Sequence, residues 1–460
     1  MVNTISDAII QEFKTSLSGQ LILPEHPSYN EVRKVWNAMI DKRPALIARC
    51  AGTADVIKSV KFARANNLLV SVRAGGHNVS GKAVCDNGIM IDLSLMKGIW
   101  VDPYRQIALA QAGLRLGEFD RETQAFGLAT TLGIISNTGI AGLTVGGGVG
   151  WLARKYGLAC DNLLSVDIVT ADGQFLKASD KENEDLFWGI RGGGGNFGIV
   201  TSFEYKLHPV GPQVLAGMVL HPFEKAREAL KFYRNYSASI PDDMNTVCAL
   251  LTSPEGHPVV AIVVCYHGPS IDAGQQKLRP LREFGPPITD LIRPMSYVEA
   301  QSILDLAVPP SGLRSYWKSH FLKEIPDQAI DTLVDHFERV PSPRTAIQFQ
   351  QFGGAVSRVR EDATAFGHRQ DGEYDFIILS LWQNSSDDNA NISWTRELWD
   401  TMKPFSPGGV YINNLGDDEP EGRVRAAYGP NYDRLVVMKN KYDPTNLFHL
   451  NQNIKPIVST

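Results

Sequence analysis

The sequence predicts an α+β protein built in two parts, and three observations carry that expectation. Short strands and helices alternate as far as the turn His208-Pro209-Val210-Gly211-Pro212. Beyond the turn, long period-two runs follow one another with helices between some of them, which suits an antiparallel sheet better than a doubly wound parallel one. The last stretch, residues 431–453, returns to the helix-then-turn texture of the first part.

In chain order, residues 45–49 read as a strand after Pro44. Residues 53–66 read as a helix with Val56, Val60 and Ala63 on one face and Thr53 or Asp55 as its cap. Residues 69–73 and 88–93 are extended, and 107–112 alternate at period two. A helix over 116–126 ends at Gly127, which suits a left-handed cap. Strands follow at 164–170 and 199–207, with a helical segment at 185–191 between them. In the second part, 259–266, 315–322, 346–352 and 375–382 are long strands, and 327–340 and 392–402 are helices.

At 460 residues the chain is too long for one ordinary core. With 43% hydrophobic and 21% charged residues it has the composition of a folded enzyme, not of a disordered chain. A net charge of −5 offers no basic face for nucleic acid. No apolar run reaches the length of a membrane span. The first residues read as an amphipathic helix without the layout of a secretory signal. The five cysteines are scattered singly, which fits reduced thiols, and together these features predict a cytoplasmic protein. No zinc spacing or HExxH motif is present, so no metal is expected.

The chemistry concentrates in glycine-rich segments. Ser71-Val72-Arg73-Ala74-Gly75-Gly76-His77-Asn78-Val79-Ser80-Gly81 carries a strand into glycines whose N–H groups can form a nest for a pyrophosphate, with one histidine just beyond. Gly193-Gly194-Gly195-Asn196-Phe197-Gly198 satisfies GxGxxG, but its context opposes a dinucleotide-binding Rossmann unit. That unit needs a strand before the glycines and a helix after them. Here a helical segment precedes and a strand follows. Gly146-Gly147-Gly148-Val149-Gly150 lacks the Gly-Lys-Ser/Thr of a triphosphate loop. Both blocks suit either tight packing or close approach to a flat ligand.

Taken together, Arg73-Ala74-Gly75-Gly76-His77-Asn78, the 146–151 block and Asp185-Leu186-Phe187-Trp188-x-x-Arg191 with its glycines resemble the FAD-linked oxidases of the berberine-bridge-enzyme type. Gly353-Gly354-Ala355, Thr364-Ala365-Phe366-x-His368-Arg369, Tyr428-Gly429-x-Asn431-Tyr432, Lys441-Tyr442-Asp443-Pro444 and Asn451-Gln452-Asn453 extend the resemblance over nearly the whole chain.

The resemblance implies the vanillyl-alcohol-oxidase fold. Residues 1–207 and a returning segment, 416–460, would form the FAD domain around an inserted substrate domain, 208–415. It implies FAD contacts at Arg73, Ala74, Gly75, Gly76, His77, Asn78 and Gly81. Further contacts are implied at Gly133, Asn137, Thr138, Gly139, Gly142, Leu143, Gly147, Gly198, Ile199, Asn451 and Asn453. His77 matches the histidine that bonds covalently to the flavin 8α-methyl carbon. Members with a second, cysteinyl link carry that cysteine where this chain has Ile135, so a single link and a small substrate are expected.

For the chemistry, Tyr411 with Asn413 resembles the family's Tyr-x-Asn motif, and Tyr411 is the first candidate for base or substrate-hydroxyl partner. Its ordinary pKa near 10 calls for a cationic neighbour, for which Lys318 is the candidate. By alternation Tyr316, Lys318 and His320 share one strand face, and Gln348, Gln350 and Phe352 share another. Gln350 completes the candidate catalytic set. An amine-oxidising member carries glutamates where this chain has Gln348 and Gln350, and glutamine cannot ion-pair with an ammonium. The expected reaction is therefore hydride transfer from a small alcohol, sugar-like or heterocyclic donor to FAD and on to O2, giving H2O2. A flavin dehydrogenase with another acceptor, or a flavin-bearing sequestration protein, remains open at this point.

Overall fold

Two larger sheets and a two-stranded one, Leu128–Ala129 paired with His208–Pro209, make up the half of the molecule that contains the N-terminal glycine loops. The computed structural model describes residues 5–309 and 312–457. A four-stranded sheet runs in the order Gln20–Ile22, Leu46–Arg49, Ile89–Asp92, Val70–Arg73. Its first pair is antiparallel and the others are parallel. Helix Thr53–Ala65 makes the crossover and buries Val56, Val60 and Ala63. Neither Thr53 nor Asp55 caps it: the helix starts after Gly52 without a side-chain cap. Asp55 instead accepts hydrogen bonds from the N–H groups of Ser18, Gly19 and Ala51 at 2.8, 2.8 and 2.9 Å, tying the incoming chain to the sheet.

The second sheet is antiparallel, in the order Ile99–Asp102, Ile107–Gln111, Gly198–Lys206, Leu163–Thr170, Phe175–Ser179. Helix Glu184–Ile190 precedes the glycines at 192–198 and the central strand follows them, the reverse of a Rossmann unit. Helix Leu116–Gln124 stops two residues earlier than expected, and Gly127, at φ +66°, ends the turn after it.

The other half is one large antiparallel sheet. It runs Thr289–Asp290, Val214–Pro222, Pro258–Tyr266, Met244–Thr252, Ala346–Gln351, Tyr374–Trp382, Arg314–Leu322, with Arg293–Met295 also paired to Val214–Pro222. Four of these strands, Val214–Pro222, Met244–Thr252 and the short Thr289–Asp290 and Arg293–Met295, lie outside those expected from the sequence. Met244–Thr252 is buried on both faces for its first seven residues, so no polar face alternates with an apolar one. Helices Ala226–Ser237, Asp327–Phe337 and Asp388–Met402 cover one face, where Tyr233, Leu333 and Leu398 pack with Cys248, Ile262 and Phe376. The opposite face looks toward the glycine loops.

The C-terminal stretch belongs to the first core. Leu415, Tyr428, Leu435, Phe448 and Ile454 pack with Phe119, Ile168 and Phe203. Asn196, in the second glycine block, fastens it. Its Nδ2 donates to the carbonyls of Gly193 and Gln452 at 2.8 and 3.2 Å, and its Oδ1 accepts from the Ile454 N–H at 3.0 Å. The wholly buried ammonium of Lys439 donates to Asp443 Oδ2 at 2.7 Å and to the carbonyls of Asn196 and Phe448 at 2.9 and 3.0 Å. Removing one member of a buried ion pair leaves an uncompensated charge, at a cost of about 3–5 kcal/mol. Asp443→Ala is therefore expected to destabilise the first half by that amount in urea unfolding, whereas an unchanged midpoint would show that the pair contributes nothing.

Candidate functional site

The strand Val70–Arg73 ends in a loop that turns under the large sheet. Arg73 itself faces away from the cleft: it pairs with buried Asp92 at 2.6 Å and donates to the carbonyls of Val32 and Lys34, bracing the loop from outside. Gly75 then meets Gly139, in the loop that precedes helix Ile140–Val145, at a separation that excludes any side chain. A Cβ on Gly75 would lie 2.5 Å from the Gly139 backbone, and one on Gly139 would lie 2.6 Å from Gly75. Gly76 adopts φ +69°, a conformation that favours glycine. Among the described residues, the N–H groups of Gly75, Gly76 and His77 donate no hydrogen bond within the chain. On a cavity wall, N–H groups left this way are free to donate to a bound ligand.

These loops and the inner face of the large sheet enclose a cavity of about 1520 Å³, larger than the ~300–1,000 Å³ of a typical small-molecule pocket. The expected cofactor residues Ala74, Gly75, Gly76, His77 and Asn78 line it, as do Gly133, Thr138, Gly139, Gly142 and Leu143. Gly198, Ile199 and Asn451 close its far side. Five expected residues do not line it. Arg73 is the outer brace. Gly81 is needed because a Cβ there would lie 2.6 Å from the Ile40 side chain. Asn137 accepts from Arg115 at 3.4 Å. Gly147 packs against Phe366 and Tyr411, where a Cβ would lie 2.8 and 3.4 Å away. Asn453 stands behind Gln452, its buried Oδ1 without a partner. The sequence reading missed Lys82, which lines the cavity and donates to Gln452 Oε1 at 2.9 Å. Only the fold brings that distant glutamine to it.

His77 stacks on Trp36, with centroids 5.1 Å apart and planes 19° from parallel. Its Nε2 is buried without a partner. Burial, with the Arg115 charge adding to it, pushes its pKa down to about 4, so the imidazole is neutral at physiological pH. Ile135 lines the same cavity, and none of the five cysteines, all buried, does.

On the sheet side, Tyr411 Oη accepts from the Gly148 N–H at 2.9 Å and from Asn413 Nδ2 at 2.7 Å. Asn413 Nδ2 also donates to the Leu143 carbonyl at 3.2 Å, which fixes its amide orientation. Burial raises the Tyr411 pKa further above its ordinary value. Lys318 is not brought to Tyr411. It lies on the opposite face of its strand from cavity-lining Trp317, with its ammonium paired to Asp418 at 2.9 Å and Glu419 at 2.8 Å. The expected cationic neighbour is thus committed elsewhere.

Gln348 and Gln350 line the cavity, and Gln350 pairs in register with Asp375. Both oxygens of Asp375 accept from Asn414 Nδ2 at 3.0 Å, and Oδ1 accepts from Ser319 Oγ at 3.2 Å. Burial pushes its pKa up to about 7. Asp375 was not among the sequence candidates. Alternation along its strand sets it with Ile377 and Leu379, opposite Tyr374 and Phe376, but only the register with Gln350 puts it in the site.

Among the described residues, no group of three or more His, Cys, Asp or Glu side chains could hold a metal ion, and no helix is long and apolar enough to cross a membrane. Residues 44–179 match the family described as FAD binding domain, and residues 410–455 that described as berberine and berberine like. An FAD-linked oxidoreductase of Dictyostelium discoideum is 35% identical over 98% of this chain and 97% of its own length. The chain belongs to the berberine-bridge-enzyme-like FAD-linked oxidoreductases. Within this family it is 30% identical to the (R)-6-hydroxynicotine oxidase of Paenarthrobacter nicotinovorans, over 96% of this chain and 97% of that one. Its fold superposes on solved 6-hydroxy-D-nicotine oxidase from Arthrobacter nicotinovorans with a TM-score of 0.88, at 29% identity, covering 96% of this chain and 99% of that one. The architecture is therefore the vanillyl-alcohol-oxidase type, and the chain is an FAD-linked oxidoreductase. The uncommitted N–H groups, the side-chain-free Gly75–Gly139 contact and the unpartnered His77 nitrogen all fit that cofactor.

A methyl group at Gly139 must force the two loops apart, and overpacking of this kind costs about 1–3 kcal/mol. Gly139→Ala is expected to purify with substoichiometric flavin and a lowered unfolding temperature. Full flavin content at wild-type stability would show that the contact is not required.

Proposed function

We propose that the protein is an FAD-dependent oxidase that takes a hydride from the carbon of a small alcohol and delivers the electrons to O2. In this reading residues 1–207 and 416–460 hold the flavin, and residues 208–415 present the donor. FAD, when bound, would supply the hydride acceptor, and the hydride and hydroxyl proton lost by the alcohol together account for the reduction of O2 to H2O2. His77 would hold the flavin by one bond to its 8α-methyl carbon, a bond whose formation releases a methyl proton and the imidazole proton and leaves an electron pair that O2, the proposed acceptor, takes up. Neutrality of the His77 ring supports this, since only an unprotonated imidazole nitrogen is nucleophilic. The presence of Ile135, with no cysteine beside it along the cavity, supports a single tether.

The observation that carries the reaction type is the buried carboxylate of Asp375 on the cavity face of the sheet, with a pKa raised to about 7. An alcohol losing hydride must also lose its hydroxyl proton, and a base poised near neutral pH accepts it most effectively. Asn414 and Ser319 hold the carboxylate in place. Tyr411 accepts hydrogen bonds from Gly148 and Asn413, which leaves its own O–H to donate to the substrate oxygen. Gln348 and Gln350 are neutral amides that can bond a hydroxyl but cannot neutralise an ammonium, which favours an alcohol over a cationic amine.

Acid-precipitated protein should stay yellow and weigh one FAD more than the bare chain, while His77→Ala should release its colour. A colourless wild-type precipitate would defeat the tether. The rate of anaerobic flavin bleaching should be low below pH about 7 and level off above it, because the base works only when deprotonated. Asp375→Asn should lower that rate by about 10²–10⁴-fold and abolish the rise with pH. An unaltered profile in this variant would assign the proton to another group. Reduced enzyme that persisted for minutes in aerated buffer would exclude the oxidase reading.

A further inference from the structure

We infer that the alcohol this site accepts carries a broad apolar ring system, an aromatic or polycyclic hydrocarbon body, and is not a polyol. The inference rests on the alcohol-oxidising reading above and concerns the part of the donor remote from the reacting carbon.

The sheet register maps the polarity of the cavity wall. One row across the strands reads Asp375, Gln350, Val247, Val263, and the next reads Ile377, Gln348, Ala249, Ala261. Hydrogen-bonding side chains therefore end at the strand Ala346–Gln351. The two strands beyond it present only Val247, Ala249, Leu251, Ala261 and Val263 to the cavity until Thr252 at the strand's end, and Met218 continues the surface on the next strand. From above, Ile303, Leu304 and Val308 line the same space. Charged side chains reappear among the lining residues of this part at the exposed Asp290, Arg293, Glu299 and Arg344, where Arg293 pairs with Glu299 and Asp290 with Arg282, so these charges are engaged at the rim and not along the strand face.

This wall suits one kind of molecule. The hydroxyl end belongs beside Asp375 and Tyr411, where the donors and acceptors converge. The rest must lie on aliphatic surface, where a sugar hydroxyl would give up water and find no partner, at about a tenfold loss of affinity for each. The apolar stretch also spans three neighbouring strands, about 10 Å at the ~4.8 Å spacing of a sheet. One alkyl chain covers a single strand, whereas fused rings cover two or more. Ala249 and Ala261 are register partners, so two small side chains stand together and leave a shallow trough in a wall otherwise built of larger ones.

The test uses flavin-loaded protein under nitrogen with 2-naphthalenemethanol, 2-methylnaphthalene, benzyl alcohol and glucose. Binding is read from quenching of tryptophan fluorescence, which Trp317 on the cavity wall should report, and reaction is read separately from flavin bleaching. Both naphthalenes should bind at least about a hundredfold more tightly than glucose, and Ala249→Leu should weaken them about ten- to a hundredfold, and more than it weakens benzyl alcohol, with flavin content unchanged. Glucose binding as tightly as the naphthalenes, absence of naphthalene binding, or indifference of the naphthalenes to Ala249→Leu would each overturn the inference. Naphthalenemethanol that binds tightly without bleaching the flavin supports the apolar body and overturns the alcohol-oxidising reading instead.

Discussion

The approach of Gly75 to Gly139 is the constraint on which the cleft depends. Each glycine belongs to a loop leaving a different region of the first half, and neither leaves room for a Cβ on the other. Because the backbones touch, the N–H groups of Gly75, Gly76 and His77 can turn to the cavity instead of being screened by side chains. The loops alone could not hold this position. Arg73, paired with Asp92 and bonded to the 32–34 backbone, braces one from behind, and the bridge between Arg115 and Gly139 braces the other. The cradle is thus made by the absence of atoms at two positions and by charged or backbone anchors just outside them.

The far side of the cleft depends on the chain coming back. Asn196 uses its side-chain amide to hold the glycine block and the C-terminal segment together, while Lys439 reaches its backbone carbonyl from below. Those bonds put Asn451 and Gln452 on the cavity wall, and Gln452 in turn receives Lys82. A residue from the beginning of the chain and one from its end therefore meet at the same site, although 370 positions separate them.

What the sequence made legible follows from what is local. Helix before the second glycine block and strand after it could be read directly, and that order was enough to set aside a Rossmann unit. Alternation also separated Lys318 from Trp317 and grouped Gln348 with Gln350. It could not say which face meets the cavity, because that is decided by the helices packed on the other side of the sheet. Lys318 fell on the wrong face for the role expected of it, and its acidic partners lie a hundred residues further along the chain. Asp375 was hidden for a related reason: one acid in an apolar strand has no local signature, and its meaning comes from pairing with Gln350 on a neighbouring strand. Met244–Thr252 was hidden because a strand covered on both faces shows no period.

Burial raises the pKa of both Tyr411 and Asp375, but the consequences for proton transfer are opposite. A phenol starts near 10, so any increase leaves fewer than about one molecule in a thousand ionised at neutral pH. A carboxyl starts near 4, and the same desolvation brings it to about 7, where about half the molecules are ionised and each can both take and release a proton. A single apolar environment therefore keeps one group protonated and, in the proposed reaction, brings the other into the range of a base. Among the described residues no cation pairs with the Tyr411 hydroxyl, and this belongs to the same arrangement. A lysine close enough to ionise the phenol would also pull the Asp375 carboxyl back toward its ordinary value and weaken it as a base. Holding Lys318 on the outer face with Asp418 and Glu419 keeps that charge away from both.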